Sequence, residues 1–309
     1  MKSTEYRIKV VDGSEIQVYE WIPETDIKIK GIVQIAHGMA EHGKRYNDFA
    51  TFLTQNGFAV FANDHRGHGK TAGSLEKLGY IGEANGWENM ISDMKVLGNH
   101  ARVKYPNQAF FILGHSMGSF LSRKFVIDPG FKISGAIFSG TGGDPGILGS
   151  FGIFLTKLMM LFYPKNSPGK IMDKLSFGAF NQAFKPNRTA FDWLSKDNAQ
   201  VDKYVQDPYC GTIFSIGFFY EMLNGLLYVS KQKNIDKTPE DLSILLFSGD
   251  KDPVGKNGKG VTEVYNKYVK AGIKDITINL FNNGRHEMLN EKNKEEVYSF
   301  VLNWLLKYC

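Results

Sequence analysis

A serine flanked by glycines, Gly114-His115-Ser116-Met117-Gly118, joins the apolar run Phe110-Phe111-Ile112-Leu113 to a segment of helical periodicity. This is G-x-S-x-G in the strand–turn–helix setting that turns a serine into a nucleophile. The turn is sharp, and the glycines let strand and helix approach with no side chain between them. The hydroxyl is then presented beyond a strand end, and the helix behind it offers unpaired N–H groups and a positive dipole end. A serine hydroxyl still needs a base. In this arrangement the partners follow in the order serine, acid, histidine. Of the seven histidines, His37, His42, His65, His68, His100, His115 and His286, only His286 follows Ser116. It stands in Arg285-His286-Glu287, beyond the apolar run 276–281 and the turn Asn282-Asn283-Gly284. A loop there can carry an imidazole over a sheet edge; the plainer alternative is a surface histidine.

The acid is expected after the preceding apolar run, which leads into Ser248-Gly249-Asp250-Lys251-Asp252-Pro253-Val254. Asp252 is preferred as the acceptor for the His286 Nδ1–H, being farther along the loop and backed by Pro253. Asp250 is its rival, with bonding to the backbone of its own turn as the expected role. An oxyanion hole needs two N–H donors. Met117, next after the serine, supplies one. Met39 is the candidate for the other, in His37-Gly38-Met39-Ala40-Glu41-His42 after the apolar run that ends at Ala36. His37 reads as a structural histidine bonding that loop. The chemistry is acyl transfer to water: Ser116 attacks a carbonyl, His286 takes its proton, and water later releases the acid. It calls for no metal and no organic cofactor.

Two neighbouring groups compete for a role. Asp64-His65-Arg66-Gly67-His68 has metal-ligand character, but no Cys/His cluster completes a site. Rich in glycine and directly after an apolar run, it reads as a strand-end turn near the active site. Glu41 and Arg45 are candidate contacts for a polar substrate head group, against the plainer role of a structural ion pair.

Positioning these groups takes a sheet. Two short runs, 6–11 and 15–21, flank Asp12-Gly13-Ser14 and predict a hairpin. Apolar, β-branched runs follow at 31–36, 58–62, 109–113, 133–138, 242–247 and 276–281. Between and after them, 46–55, 87–105, 118–127, 259–270 and 290–307 carry helical patterns. Strands alternating with helices predict an α/β fold, a mostly parallel sheet with helices on both faces and right-handed crossovers. The alternation breaks at residues 144–236. That stretch predicts an inserted, largely helical lid, with 1–143 and 237–309 forming the core. Residues 146–163 approach the length of a membrane span, but glycines, Pro164 and the central Lys157 argue against one.

Composition agrees with a globular chain of 309 residues, 42% apolar and 22% charged. The net charge of +5 is spread without blocks of one sign, which disfavours nucleic acid as a partner. Mild basicity remains compatible with weak attraction to an anionic membrane surface. Cys210 and Cys309 suggest neither a disulfide framework nor metal-ligand spacing. The polar start Met1-Lys2-Ser3-Thr4-Glu5 carries no visible secretory signal, so the cytoplasm is the expected compartment.

Taken together, His37-Gly38-Met39-Ala40-Glu41-His42 with Arg45-Tyr46, Asp64-His65-Arg66-Gly67-His68-Gly69, Gly114-His115-Ser116-Met117-Gly118-Ser119, Gly249-Asp250-Lys251-Asp252-Pro253 and Arg285-His286-Glu287 resemble the monoglyceride lipase and lysophospholipase branch of the α/β-hydrolases. Asp207-Pro208-Tyr209-Cys210 in the lid adds to the likeness. The resemblance implies a triad of Ser116, Asp252 and His286 and an oxyanion hole at Met39 and Met117. It implies hydrolysis of single-chain carboxylic esters, monoacylglycerols or lysophospholipids, with proline-iminopeptidase-type cleavage as the alternative. The latter needs lid acids to hold an ammonium; Asp192, Asp197, Asp202 and Glu221 are available. The lid's Phe151, Phe154, Leu155, Leu158, Met159, Met160, Phe162, Phe214, Phe218 and Phe219 suggest an acyl-chain tunnel, against a plainer role packing the lid on the core. A lipid substrate would bring the lid into transient contact with a membrane.

Overall fold

The computed structural model describes residues 1–128 and 130–309. Eight strands form one sheet in the order β1-β2-β4-β3-β5-β6-β7-β8. They are β1 (Lys2–Lys9), β2 (Glu15–Ile22), β3 (Gly31–Ala36), β4 (Phe58–Asn63), β5 (Ala109–His115), β6 (Gly135–Ser139), β7 (Ser243–Gly249) and β8 (Ile276–Phe281). The pairings of β1 with β2 and of β2 with β4 are antiparallel, and all others are parallel. The predicted hairpin is present, but β1 starts at Lys2, four residues before its expected start. Its polar first half shows no apolar alternation and is drawn in by the backbone register, Lys2 opposite Ile22.

Strands β3, β4, β5 and β7 read as apolar runs because both of their faces are covered. Successive side chains go to opposite faces. On β5, Phe110 and Ile112 join one core cluster, while Phe111 and Leu113 join the other. On β7, Ile244 and Leu246 divide from Leu245 and Phe247 in the same way.

Helices α1 (Asn47–Gln55), α2 (Gly86–Lys104) and α3 (Met117–Ile127) connect the strands of the first half. Between β6 and β7 lie α4 (Gly146–Met159), α5 (Lys170–Phe177), α6 (Asn198–Gln206), α7 (Ile216–Ser230) and α8 (Gln232–Ile235). Helices α9 (Lys259–Lys270) and α10 (Lys294–Leu305) complete the chain. The caps explain two of the starts: Asp197 accepts from Ala199 N ahead of α6, and Ser215 accepts from Phe218 N ahead of α7.

The inserted helices divide in character. Helix α7 is part of the core, with Phe218, Phe219 and Met222 in the cluster that also holds Ile32 and Ile112. Helix α4 is built the opposite way from an ordinary surface helix. Its buried residues are the small Gly149, Gly152 and Thr156. A Cβ at Gly152 would lie 2.8 Å from Leu223 of α7, so the two helices touch nearly backbone to side chain. Its large side chains point outward: Ile147 is 88% exposed, Leu148 82% and Phe154 62%. Among the described residues no helix is long and apolar enough to cross a membrane.

Candidate active site

Strand β5 ends at His115 and α3 starts at Met117, so Ser116 makes the turn alone. Its backbone adopts φ 53° and ψ −120°, a conformation that costs an L-residue of order 1–3 kcal/mol. The surroundings hold it there. Ser116 N–H donates to the Ser139 carbonyl (2.9 Å), and the Ser116 carbonyl accepts from Ser119 N–H (2.9 Å). A Cβ at Gly114 would fall 2.3 Å from the Gly118 carbonyl oxygen, and one at Gly118 would fall 2.0 Å from that of Ala36. No other residue type fits either place.

His286 reaches the same spot from the opposite side of the sheet's C-terminal edge. The loops after β7 and β8 press together at glycine: a Cβ at Gly249 would stand 2.1 Å from the Gly284 carbonyl. Lys251 N–H donates to Gly284 O (2.9 Å), which fixes one loop against the other. Asp252 is thereby fully buried behind His286 and accepts its Nδ1–H at 2.9 Å. The same Asp252 oxygen accepts from the Ser248 hydroxyl (2.8 Å), and the other oxygen from Val254 N–H (2.9 Å). Burial alone would lower the His286 pKa. The charge and hydrogen bond of Asp252 outweigh it, and Glu287 and Glu41 add to them, so the imidazole sits above its ordinary value. Asp250 makes no contact with His286. Nor does its side chain bond the turn, as expected of it: one oxygen is buried without a partner and the other lies 3.8 Å from Lys251 Nζ. The N–H groups that could serve it are already taken, Lys251 N–H by Gly284 O (2.9 Å) and Asp252 N–H by Gly249 O (3.2 Å).

Ser116 and His286 both line a cavity of about 340 Å³. Met39 lines it as well, and the Gly38 backbone passes so close that a Cβ there would be 3.2 Å from Ser116 Cβ. Met117 is buried, and its N–H is the first of α3, one of the four with no acceptor inside the helix. Of the two predicted oxyanion donors, Met39 thus shares the cavity with the serine and Met117 follows it in the chain. His37 lies behind this loop. Its Nε2 accepts from His65 N–H (2.9 Å), so Nδ1 carries the proton and donates to Gly38 O (2.7 Å). Burial pushes its pKa down to about 3, and burial also holds His65 and His68 well below the ordinary value. Among the described residues, neither His65 nor His68 belongs to a group of metal-ligating atoms.

Glu41 and Arg45, the candidate head-group contacts, form an ion pair with each other. The Glu41 carboxylate accepts from Gly38 N–H, from the Tyr46 hydroxyl (2.9 Å) and from Arg45 (2.6 Å). Arg45 also forms a two-pronged pair with Glu287, both contacts 2.8 Å, and lies over the Tyr204 ring. Arg45 is paired with both carboxylates and lines a neighbouring polar cleft, whereas Glu41 lines this cavity. The trio fastens the loop after β3 to the loop that carries His286.

Most of the cavity wall comes from the segment between β6 and β7, including Asp173, Phe177, Asn181, Phe191, Trp193 and Tyr204. None of the ten apolar residues expected to form a tunnel is among them. Phe151, Phe154, Leu158 and Phe162 are exposed, Leu155 and Met159 pack against the core, and Phe214, Phe218 and Phe219 are buried in it. The acids proposed for holding an ammonium are elsewhere too. Asp192 accepts from Thr189, Asp197 caps α6, Asp202 pairs with Arg188, and Glu221 faces Trp87 N–H. Asp173 is the acid that the segment contributes to the wall, and burial raises its pKa. Trp193 was not anticipated. Its ring lies 5.1 Å from that of His286, and the Leu194 carbonyl accepts Glu287 N–H (2.8 Å), so residues 193–194 hold the histidine loop from above. One signal pointed to it: Trp193 is the only tryptophan in 144–236. His115 forms the floor, 4.6 Å from His286, its pKa pushed down to about 4 by burial and by His286.

Residues 27–293 match the family described as serine aminopeptidase, S33. A monoacylglycerol lipase of Mycolicibacterium smegmatis is 26% identical over 308 residues, covering 99% of this chain and 98% of that protein. An uncharacterized abhydrolase domain-containing protein of Dictyostelium discoideum is 26% identical over 323 residues, of which this chain spans only 29% of the length. A solved carboxyl esterase from Bacillus coagulans, in complex with glycerol, superposes with a TM-score of 0.92 at 27% identity over 100% of this chain and 99% of that one.

Proposed function

The chain belongs to the serine aminopeptidase S33 family of α/β-hydrolases, and from that premise we propose that it hydrolyses carboxylic esters of single acyl chains through an acyl-enzyme on Ser116. The observation that carries the reading is one bond and one cavity. His286 Nδ1 is committed to buried Asp252, which leaves Nε2 as the free nitrogen, and His286 and Ser116 share the cavity wall. In the first half-reaction His286 takes the Ser116 proton as Oγ attacks the ester carbonyl. The N–H groups of Met39 and Met117 hold the oxyanion, and His286 returns the proton to the leaving alcohol. In the second half-reaction water replaces the alcohol and the acid departs. The apolar Phe177, Phe191 and Leu194 suit an acyl chain, and the polar Asn181 and Asp173 suit the alcohol portion. Full-length likeness to a monoacylglycerol lipase and to an esterase supports the same class.

A second reading has one observation in its favour. Asp173 places a carboxylate on the wall, where an ammonium would be welcome, and so keeps an aminopeptidase in view. Two measurements decide. A fluorophosphonate probe is expected to label the wild type and to leave Ser116→Ala unlabelled; labelling that survives the substitution sinks the mechanism. A panel of p-nitrophenyl esters of rising chain length is then run beside prolyl and other aminoacyl amides. Turnover confined to the amides overturns the ester assignment.

The outward face of α4 gives the proposal a place of work, an anionic lipid surface. Between residues 146 and 185 there are five lysines and a single acid, Asp173, which is turned to the cavity. Helix α5 bridges the two environments, with Phe177 on the cavity and Ile171 and Leu175 exposed beside the α4 face.

A further inference from the structure

The lid motif Asp207-Pro208-Tyr209-Cys210 has no part in the steps above, yet it is tightly built. Cys210 N–H donates to the Asp207 carbonyl (3.0 Å), closing a turn, and Tyr209 N–H donates to one Asp207 carboxylate oxygen (2.9 Å). Pro208 fixes the second position of that turn. The other carboxylate oxygen lies 2.9 Å from His42 Nε2, across from the loop after β3. Cys210 Sγ completes the group: the three ligand atoms all lie within 4.8 Å of one another.

We propose that His42, Asp207 and Cys210 bind one thiophilic divalent transition ion, of which zinc is the best match to a nitrogen, oxygen and sulfur set. Tetrahedral zinc places such ligand atoms about 3.3–3.6 Å apart, so binding would draw the set in from its present spread. The cysteine thiol gives up its proton to solvent. His42 coordinates through Nε2 with its proton on Nδ1, so that the ion replaces the hydrogen bond to Asp207. The hydrogen bond from Tyr209 N–H already orients the carboxylate. Charge balances as well. A thiolate and a carboxylate offset the dication, and the nearby Arg45 is held by Glu41 and Glu287. His42 and Asp207 also line an open polar cleft of about 460 Å³, from which an ion would reach them. The ion would clamp two segments that already meet, since Ala40 O accepts from Gly211 N–H (3.0 Å) and from the Tyr204 hydroxyl (2.9 Å).

The test uses cobalt(II) as a spectroscopic stand-in on the intact chain. One equivalent is expected to give a thiolate-to-metal charge-transfer band in the near ultraviolet, and one equivalent of zinc is expected to abolish it. Cys210→Ser should lose the band and bind zinc at least about 10–100-fold more weakly by calorimetry. His42→Gln, which can still bond Asp207, should weaken zinc binding to a similar degree, while its metal-free melting curve reports whether it folds. Cys309→Ser should behave as the wild type. Absence of the band in the wild type, its survival in Cys210→Ser, or its loss in Cys309→Ser would each overturn the proposal.

Discussion

Asp252 accepts three hydrogen bonds, and only one of them comes from His286. The other two fix the carboxylate, so the imidazole finds its acceptor already oriented. Replacing Asp252 by Asn keeps the shape but removes the charge and the acceptor that select the tautomer; kcat should fall by roughly 10⁴-fold. The pH profile tests the same pair. His286 is effective as a base only when neutral, and its pKa is raised above 6.5. Thus kcat/KM should be complete above that raised pKa and fall as pH drops through it, about tenfold per unit. In Asp252→Asn the residual activity should keep its acid limb at lower pH, because the raising influence is gone. A limb that stays in place would rule out His286 as the titrating base. Ser116 and His286 were legible because residue type and chain order constrain them. Asp252 was distinguishable from Asp250 only by preference, since two residues of loop decide which carboxylate faces inward. Trp193 stood out only as the single tryptophan of 144–236, and its place at the site could not be read because it depends on the path of an irregular segment.

At the scale of elements, the loop after β3 and the loop after β8 are joined by buried charge. Arg45→Met would leave Glu41 and Glu287 facing each other without a cation, at a cost of about 3–5 kcal/mol in chemical unfolding. The sign of the pH dependence is fixed by Glu287. Burial alone would raise its pKa, but Arg45 outweighs burial and holds it near 2. Its contribution is therefore present above the ordinary carboxylate pKa of 4.5 and lost as pH falls toward 2. The deficit of Arg45→Met should be largest at neutral pH and shrink near pH 4, where its carboxylates take up protons. A deficit independent of pH would show that lost packing, not charge, is responsible. Buried strands were readable as apolar runs because helices cover both faces of the sheet. Helix α4 was readable as an apolar helix but not in its orientation, since periodicity marks a face without saying what that face meets. Here the glycines took the inward side, as contact with Leu223 requires.

For the molecule as a whole, the exposed α4 face is the feature that water least favours. Phe151→Ser, Phe154→Ser and Phe162→Ser together should abolish sedimentation with anionic phosphatidylglycerol vesicles and leave hydrolysis of a short, freely dissolved ester unchanged. Wild-type binding should weaken with added salt, as the surrounding lysines are screened over about 10 Å at 0.1 M. Undiminished vesicle binding by the triple variant would assign the surface to another region; loss of hydrolysis as well would mean that α4 supports the cavity. The mostly parallel sheet and the inserted segment were foreseeable from alternation and its interruption, though the strand order was not. The division of the cavity between them was not, and it has a consequence for inheritance. The reacting groups stand on strand ends and short loops, whereas Phe177, Phe191, Trp193 and Tyr204 belong to the insertion. A lineage, or a mutagenesis library confined to Phe177, Asn181 and Phe191, can thus explore new substrates without touching the loop that carries His286.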